Sequence, residues 1–333
     1  MTDAQAVPPG PSPKIELHVH LEGAIRPKAL LDIAQRNGLS LPFTTEAEAA
    51  TFYQFRDFAH FIEIWMLTTN VLQTGRDYQQ IVHDYAAEAA GHGAVYLEGI
   101  FSPFERITRG IDPDEIFAGY CDGAAQARQE YGIEVRLTPD IGGQLDPAEV
   151  EPLIRYAVKY ADRGVVALGL GGNEADSPPQ DWARCFAIAR DGGLGSVPHA
   201  GESTGPEQVR AAVEVLGADR IRHGIGAATD PELLTELAEL GIGCDVCPTS
   251  NVRTGVVPSL AAHPLPTMVA AGVACTINTD DPAMFDTDLG REYAQLDQLG
   301  VTAEQAYAAG VAGARCDPAT RTRLRAIGAA AVW

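Results

Sequence analysis

The chain has 333 residues, 46% of them hydrophobic, which is enough for a sizeable core. Its 24 Lys+Arg against 45 Asp+Glu leave a net charge of −21. A field of that sign repels phosphate backbones and argues against nucleic acid as a partner, and its plainest consequence is solubility.

Residues 1–13 carry Pro8, Pro9, Pro11 and Pro13 and read as a flexible, extended arm. They hold neither the basic start nor the apolar run of a signal peptide. No apolar stretch is long enough to span a bilayer. Six cysteines are scattered along the chain, as expected of a cytoplasmic, reduced protein. Only Cys244 and Cys247 are close together. No second Cys or Cys/His cluster completes a structural zinc site around them, so the pair reads as two small residues in a buried strand.

Residues 14–333 read as a single barrel domain. Strand-like runs fall at 14–20, 94–101, 133–139, 165–170, 195–199, 220–224, 241–247 and 273–279. Amphipathic stretches such as 116–131, 149–160, 206–216 and 231–240 separate most of them. Strands alternating with helices predict a parallel sheet, and eight units predict a closed (β/α)8 TIM barrel. No Gly-rich fingerprint opens the first helix, which argues against a dinucleotide-binding sheet. The long gap at 24–92 predicts a helical insertion after strand 1. Within it Phe58, Phe61 and Trp65 share one helical face, which suits either the core or an apolar wall over the barrel mouth.

Active sites on such barrels lie at the C-terminal ends of the strands. Those ends carry His18 and His20, Gly171 and Gly172, His199 with Glu202 just beyond, His223, and Asp280 with Asp281. His18 and His20 are two apart on a strand, so both imidazoles face the mouth. With His199 and Asp280 they form an open set of three His and one Asp suited to one zinc ion. Glu202 beside a heterocycle can serve as a proton donor, and His223 and Asp281 are placed to take a proton from water. A two-metal hydrolase would bridge its ions with a modified lysine ending strand 4. That region is VVALGLGGNE, and the nearest lysine is Lys159, so one metal per chain is expected. A non-catalytic binding barrel would have no use for Glu202, His223 and Asp281 beside a full ligand set.

The segments KIELHVHLEGAIRP (14–27), HAGE (199–202), RIRHGIG (220–226), CPTSNV (247–252) and NTDDPAMF (278–285) resemble the adenosine deaminase family of the amidohydrolase superfamily, in that family's order. The resemblance implies zinc held by His18, His20, His199 and Asp280. It implies that Glu202 protonates purine N1, and that His223 orients the attacking hydroxide and accepts its proton. Asp281 would hold the water and N7, and the Gly172 N–H would meet N3. Glu22 stands where many adenosine deaminases carry an Asp that contacts the ribose 5′ end. Gly169 and Asn173 stand where the family often has aspartate, and Ile100 where it often has arginine. The substrate implied is therefore a 6-aminopurine nucleoside, adenosine or a 5′-modified analogue such as aminodeoxyfutalosine, with free adenine as the alternative.

Overall fold

The computed structural model describes residues 12–143 and 145–333, so the expected arm falls, up to Pro11, outside the described residues. Among the described residues there are nine strand segments, all but β5 and β6 separated by helices: β1 Lys14–His20, β2 Ala94–Phe101, β3 Glu134–Gly142, β4 Ala167–Gly171, β5 Gly195–Ser196, β6 His199–Ala200, β7 Arg220–His223, β8 Gly243–Val246 and β9 Cys275–Ile277. All pairings are parallel, in two arcs ordered β1-β2-β3-β4-β5 and β6-β7-β8-β9.

β5 and β6 are two pieces of one barrel strand. Pro198 sits between them and has no N–H to give to the ladder. The chain still tracks its neighbours there: Val197 N–H donates to Leu168 O at 2.9 Å, and Arg222 N–H to Pro198 O at 2.9 Å. At the other seam Val19 pairs with Asp280, and the His20 N–H donates to the Asp280 carbonyl at 2.7 Å. These bonds join the two arcs into a (β/α)8 barrel of eight strands.

The insertion holds four helices, α1 Pro27–Arg36, α2 Glu46–Phe52, α3 Phe58–Thr69 and α4 Gly75–Gly91. A capping box between Thr45 and Glu48 starts α2, and Asp57 caps α3. Farther on, Pro in the first turn with an Asp cap recurs at α6 Pro113–Tyr131, which follows the short α5 Phe104–Thr108. The same pairing begins the helices at Pro231–Leu240 and Pro318–Ala330.

Inside the barrel the core is polar and paired. Arg220 and Arg222 lie two apart on β7 and share its inner face, while Ile221 between them packs with Leu233 and Leu237 of the outer layer. Arg220 bonds Glu98 at 2.7 Å and Asp245 at 2.5 Å. Arg222 bonds Asp140, and Thr138 at 2.6 Å. Removing one partner of such a buried pair costs about 3–5 kcal/mol, so these ties hold the strand ends above them in place. Among the described residues no helix is long and apolar enough to cross a membrane.

Candidate active site

His18 and His20 end β1, His199 opens β6 and Asp280 follows β9. One ligand atom from each lies within 4.8 Å of the others. The Nε2 atoms of His199 and His18 are 3.1 Å apart, and those of His20 and His199 3.3 Å. Asp280 Oδ1 stands 3.3 Å from His18 Nε2 and 3.4 Å from His20 Nε2.

The hydrogens on two of these rings follow from their outer contacts. His18 Nδ1 faces the Asp245 carbonyl at 3.3 Å and His199 Nδ1 the Leu170 carbonyl at 2.7 Å. A carbonyl only accepts, so each Nδ1 carries the hydrogen and each Nε2 is a lone pair. Burial pushes His18 down to about 3 and His20 to about 4, and it lowers His199 as well, so the rings are neutral. Lone pairs facing each other at 3.1 Å repel unless a cation lies between them. Two nitrogens bound tetrahedrally to zinc at about 2.05 Å are about 3.3 Å apart, so this donor set fits a single transition-metal ion.

The backbone is strained at two of these strand ends. His223 has φ 59° and Asp280 φ 67°. By alternation His223 would fall on the Ile221 face; the left-handed turn brings it back to the mouth, 4.6 Å ring to ring from His18. Such a conformation costs about 1–3 kcal/mol, and the buried surroundings must hold it.

Glu202 and Asp281 flank the ligand set. Glu202 Oε2 is 3.6 Å from His223 Nε2, and burial pushes its carboxyl up to about 7. Asp281 is buried with Oδ1 unpartnered, and burial followed by the charge of Asp280 raises it well above the usual range. Ser250 donates to Asp280 Oδ2 at 2.6 Å.

Above this floor opens a chamber of about 320 Å³. It is lined by Gly172 and Asn173, by Phe61, Ile62, Trp65 and Met66 of α3, and by Phe104 and Phe285. Phe61 stacks on Phe285 at 5.2 Å. The expected apolar face thus serves the mouth through Phe61 and Trp65, while the Phe58 side chain lies outside the described residues.

Glu22 takes a different position from a sugar-facing carboxylate. It is fully buried, accepts from Ser102 N–H at 2.8 Å and Tyr120 O–H at 2.9 Å, and pairs with Arg106 at 3.3 Å. Only Oε2 remains unpartnered, and Glu22 is not among the residues lining the chamber. Lys159 pairs with Asp114 on the surface at 2.6 Å, away from the ligands. Cys244 lies in β8, but Cys247 falls just past its end, near His18 and His223. Burial keeps its thiol well above the usual range, so it stays protonated and is a poor ligand.

Several supports are absent from the expected set. Glu174 accepts from the backbone N–H of Glu202 at 3.0 Å, Ser203 at 3.2 Å and Thr204 at 3.1 Å, which fixes the loop carrying Glu202. Asp140 lines the chamber and stands 3.4 Å from His199 Nδ1. A Cβ at Gly169 would lie 2.0 Å from Asp140 Oδ1, so the carboxylate from β3 fills the room that a side chain at position 169 would need.

Gly23 is equally constrained: a Cβ there would lie 1.8 Å from Asp281 Oδ1. Gly23→Ala is therefore expected to turn Asp281 out of place while the fold and metal content persist. A misplacement near 1 Å costs about 10²-fold, and kcat should fall by that order. A variant that keeps wild-type kcat would show that the position of Asp281 is unimportant.

Fold and site together define a hydrolytic deaminase on a β/α barrel with a candidate metal centre at the mouth. The chain belongs to the adenosine deaminase family, whose profile, described as adenosine deaminase, matches residues 13–326. It is 52% identical over 328 residues to an aminodeoxyfutalosine deaminase of Acidothermus cellulolyticus, covering 96% of this chain and 92% of that one. It is 36% identical over 296 residues to an adenine deaminase of Albidiferax ferrireducens, covering 89% and 86%. Among solved structures, an adenine deaminase from Arthrobacter aurescens superposes with TM-score 0.90 at 27% identity, covering 96% of this chain and 98% of that one. A zinc-bound amidohydrolase from Burkholderia ambifaria superposes with TM-score 0.86 at 28% identity, covering 96% and 90%.

Proposed function

We propose that this enzyme hydrolyses the 6-amino group of a purine extended beyond the ribose 5′ position, aminodeoxyfutalosine being the foremost candidate, and releases ammonia. The observation that carries the reading is the chamber: a converging His/Asp set at its floor and an apolar mouth large enough for more than a base. Its volume of about 320 Å³ falls in the range of about 300–1,000 Å³ for sites that enclose drug-sized ligands. The 52% identity to an aminodeoxyfutalosine deaminase supports the same substrate. The internal engagement of Glu22 also fits, because little of that carboxylate is left for a ribose 5′-hydroxyl. Free adenine is the second reading, favoured by the relatives named adenine deaminase.

His18, His20, His199 and Asp280 would hold one zinc ion per chain, and the ion when bound would supply acidity to the attacking water. Gly172 presents its backbone N–H to purine N3. Glu202, kept protonated near neutral pH by burial, donates to N1 as water adds to C6. Asp281, which the charge of the bound ion would keep ionised, takes the water's proton and faces N7, while His223 orients the water. Asp281 passes that proton to the amino group, the C6 hydroxyl proton restores Glu202, and the tetrahedral carbon expels ammonia to leave the 6-oxo purine. The six cysteines are unpaired, which suits a reducing cytoplasm.

Steady-state kcat/KM for aminodeoxyfutalosine, other 5′-substituted adenosines, adenosine and adenine tests the specificity. The 5′-extended nucleosides should lead by at least about 10-fold, or about 1.4 kcal/mol of transition-state preference. If adenosine leads by that margin, the sugar-side reading is wrong.

A further inference from the structure

His263 is 5% exposed, lies away from the ligand set and has no place in the steps above. Its contacts form a chain with one fixed end. The Leu265 N–H donates to His263 Nδ1 at 3.1 Å. A backbone amide can only donate, so His263 Nδ1 is a lone pair and the neutral ring carries its hydrogen on Nε2. That Nε2 faces Asn251 Oδ1 at 3.2 Å and donates to it. The orientation of the Asn251 amide is thereby set, with its Nδ2 towards His223 Nδ1 at 3.2 Å. An amide nitrogen only donates, so His223 Nδ1 accepts and the His223 hydrogen sits on Nε2. Asn251 and His223 are 0% and 1% exposed, so no bulk water competes for these bonds. The far side of the ring agrees: Nε2 looks towards the Asp280 carboxylate, with Oδ2 at 3.8 Å.

We propose that His263 and Asn251 are positioning residues that lock His223 as an Nε2–H donor to the attacking water. The inference rests on the deaminase reading for its kinetic consequence, though not for its geometry. It replaces the expectation that His223 accepts the proton. A neutral imidazole with its hydrogen on Nε2 has its one lone pair on Nδ1, and the Asn251 amide occupies that lone pair.

Asn251→Asp separates the two roles. The replacement is close to isosteric but only accepts, so it draws the His223 hydrogen to Nδ1 and turns Nε2 into a lone pair. If His223 is a donor, kcat should fall by at least about 10²-fold while KM stays within about threefold; a comparable tautomer reversal in a Ser-His-Asp triad costs about 10⁴-fold. If His223 were a base, the same change would build an Asp–His pair and preserve or raise kcat. The zinc-loaded proteins are assayed with the aminopurine that the wild type turns over fastest. Imidazole ¹⁵N spectra of histidine-labelled protein, assigned with His223→Gln, provide a readout independent of turnover. The wild type should carry the His223 hydrogen on Nε2 and Asn251→Asp should carry it on Nδ1. A wild-type hydrogen on Nδ1, or an Asn251→Asp enzyme with undiminished kcat, overturns the proposal. If the wild type deaminates no aminopurine, the proposed function fails, and the spectra alone decide the relay.

Discussion

Glu202→Gln is expected to keep its metal and lose about 10² to 10⁴-fold in kcat, the range for a general acid. Glu202 sits one loop beyond His199, yet that loop is held separately by Glu174, so the substitution leaves the ligand set untouched. Burial raises the carboxyl to about 7, which keeps a proton available near neutrality for a ring nitrogen. The glutamine amide fills the same space and can still hydrogen-bond N1, but it has no proton to transfer. KM should therefore change little, because the lost interaction belongs to the transition state. Metal analysis and kcat on the purified variant check both halves. Loss of the metal would make Glu202 a ligand, and near-normal turnover would mean that another group protonates the ring.

Removal of the metal is expected to have the largest effect of all. Stringent chelation should lower turnover by at least about 10³-fold, because the unassisted water has a pKa near 15.7 rather than near 7. One equivalent of zinc per chain should restore it. The structural reason is the pair of Nε2 lone pairs only 3.1 Å apart, an arrangement that three neutral imidazoles do not adopt for packing alone. Two equivalents needed for recovery, or activity unaffected by chelation, would contradict the single centre.

The residues that stand at strand ends were legible in the sequence because the barrel puts its chemistry there. His18, His20, His199, His223, Asp280 and Asp281 all follow from locating the strands. Asp140 was not legible. Pro139 reads as the end of the third strand, whereas β3 continues through it to Gly142, with Pro139 paired to Phe101. A proline removes one donor without forcing the strand to stop, and Asp140 lies just past it, inside the barrel. Pro198 acts in the opposite sense, dividing the fifth strand into β5 and β6. Glu174 was hidden for another reason: its work is to accept from backbone N–H groups at residues 202–204, and no local pattern announces a partner that far along the chain. His263 shares this, standing 40 residues after His223 and touching it only through Asn251. Glu22 was legible as a site-adjacent acid, but not its capture by Arg106 and Tyr120, which depends on where α5 and α6 pack.

The most direct test of the account is incubation of the zinc-loaded enzyme in oxygen-18 water with aminodeoxyfutalosine, adenosine, adenine and cytidine. Mass spectrometry of the product and ammonia release are followed together. The account predicts one ammonia per turnover from a 6-aminopurine, with the heavy oxygen at C6 and the glycosidic bond intact. Turnover of cytidine with the purines untouched, or purine products without heavy oxygen at C6, would contradict it.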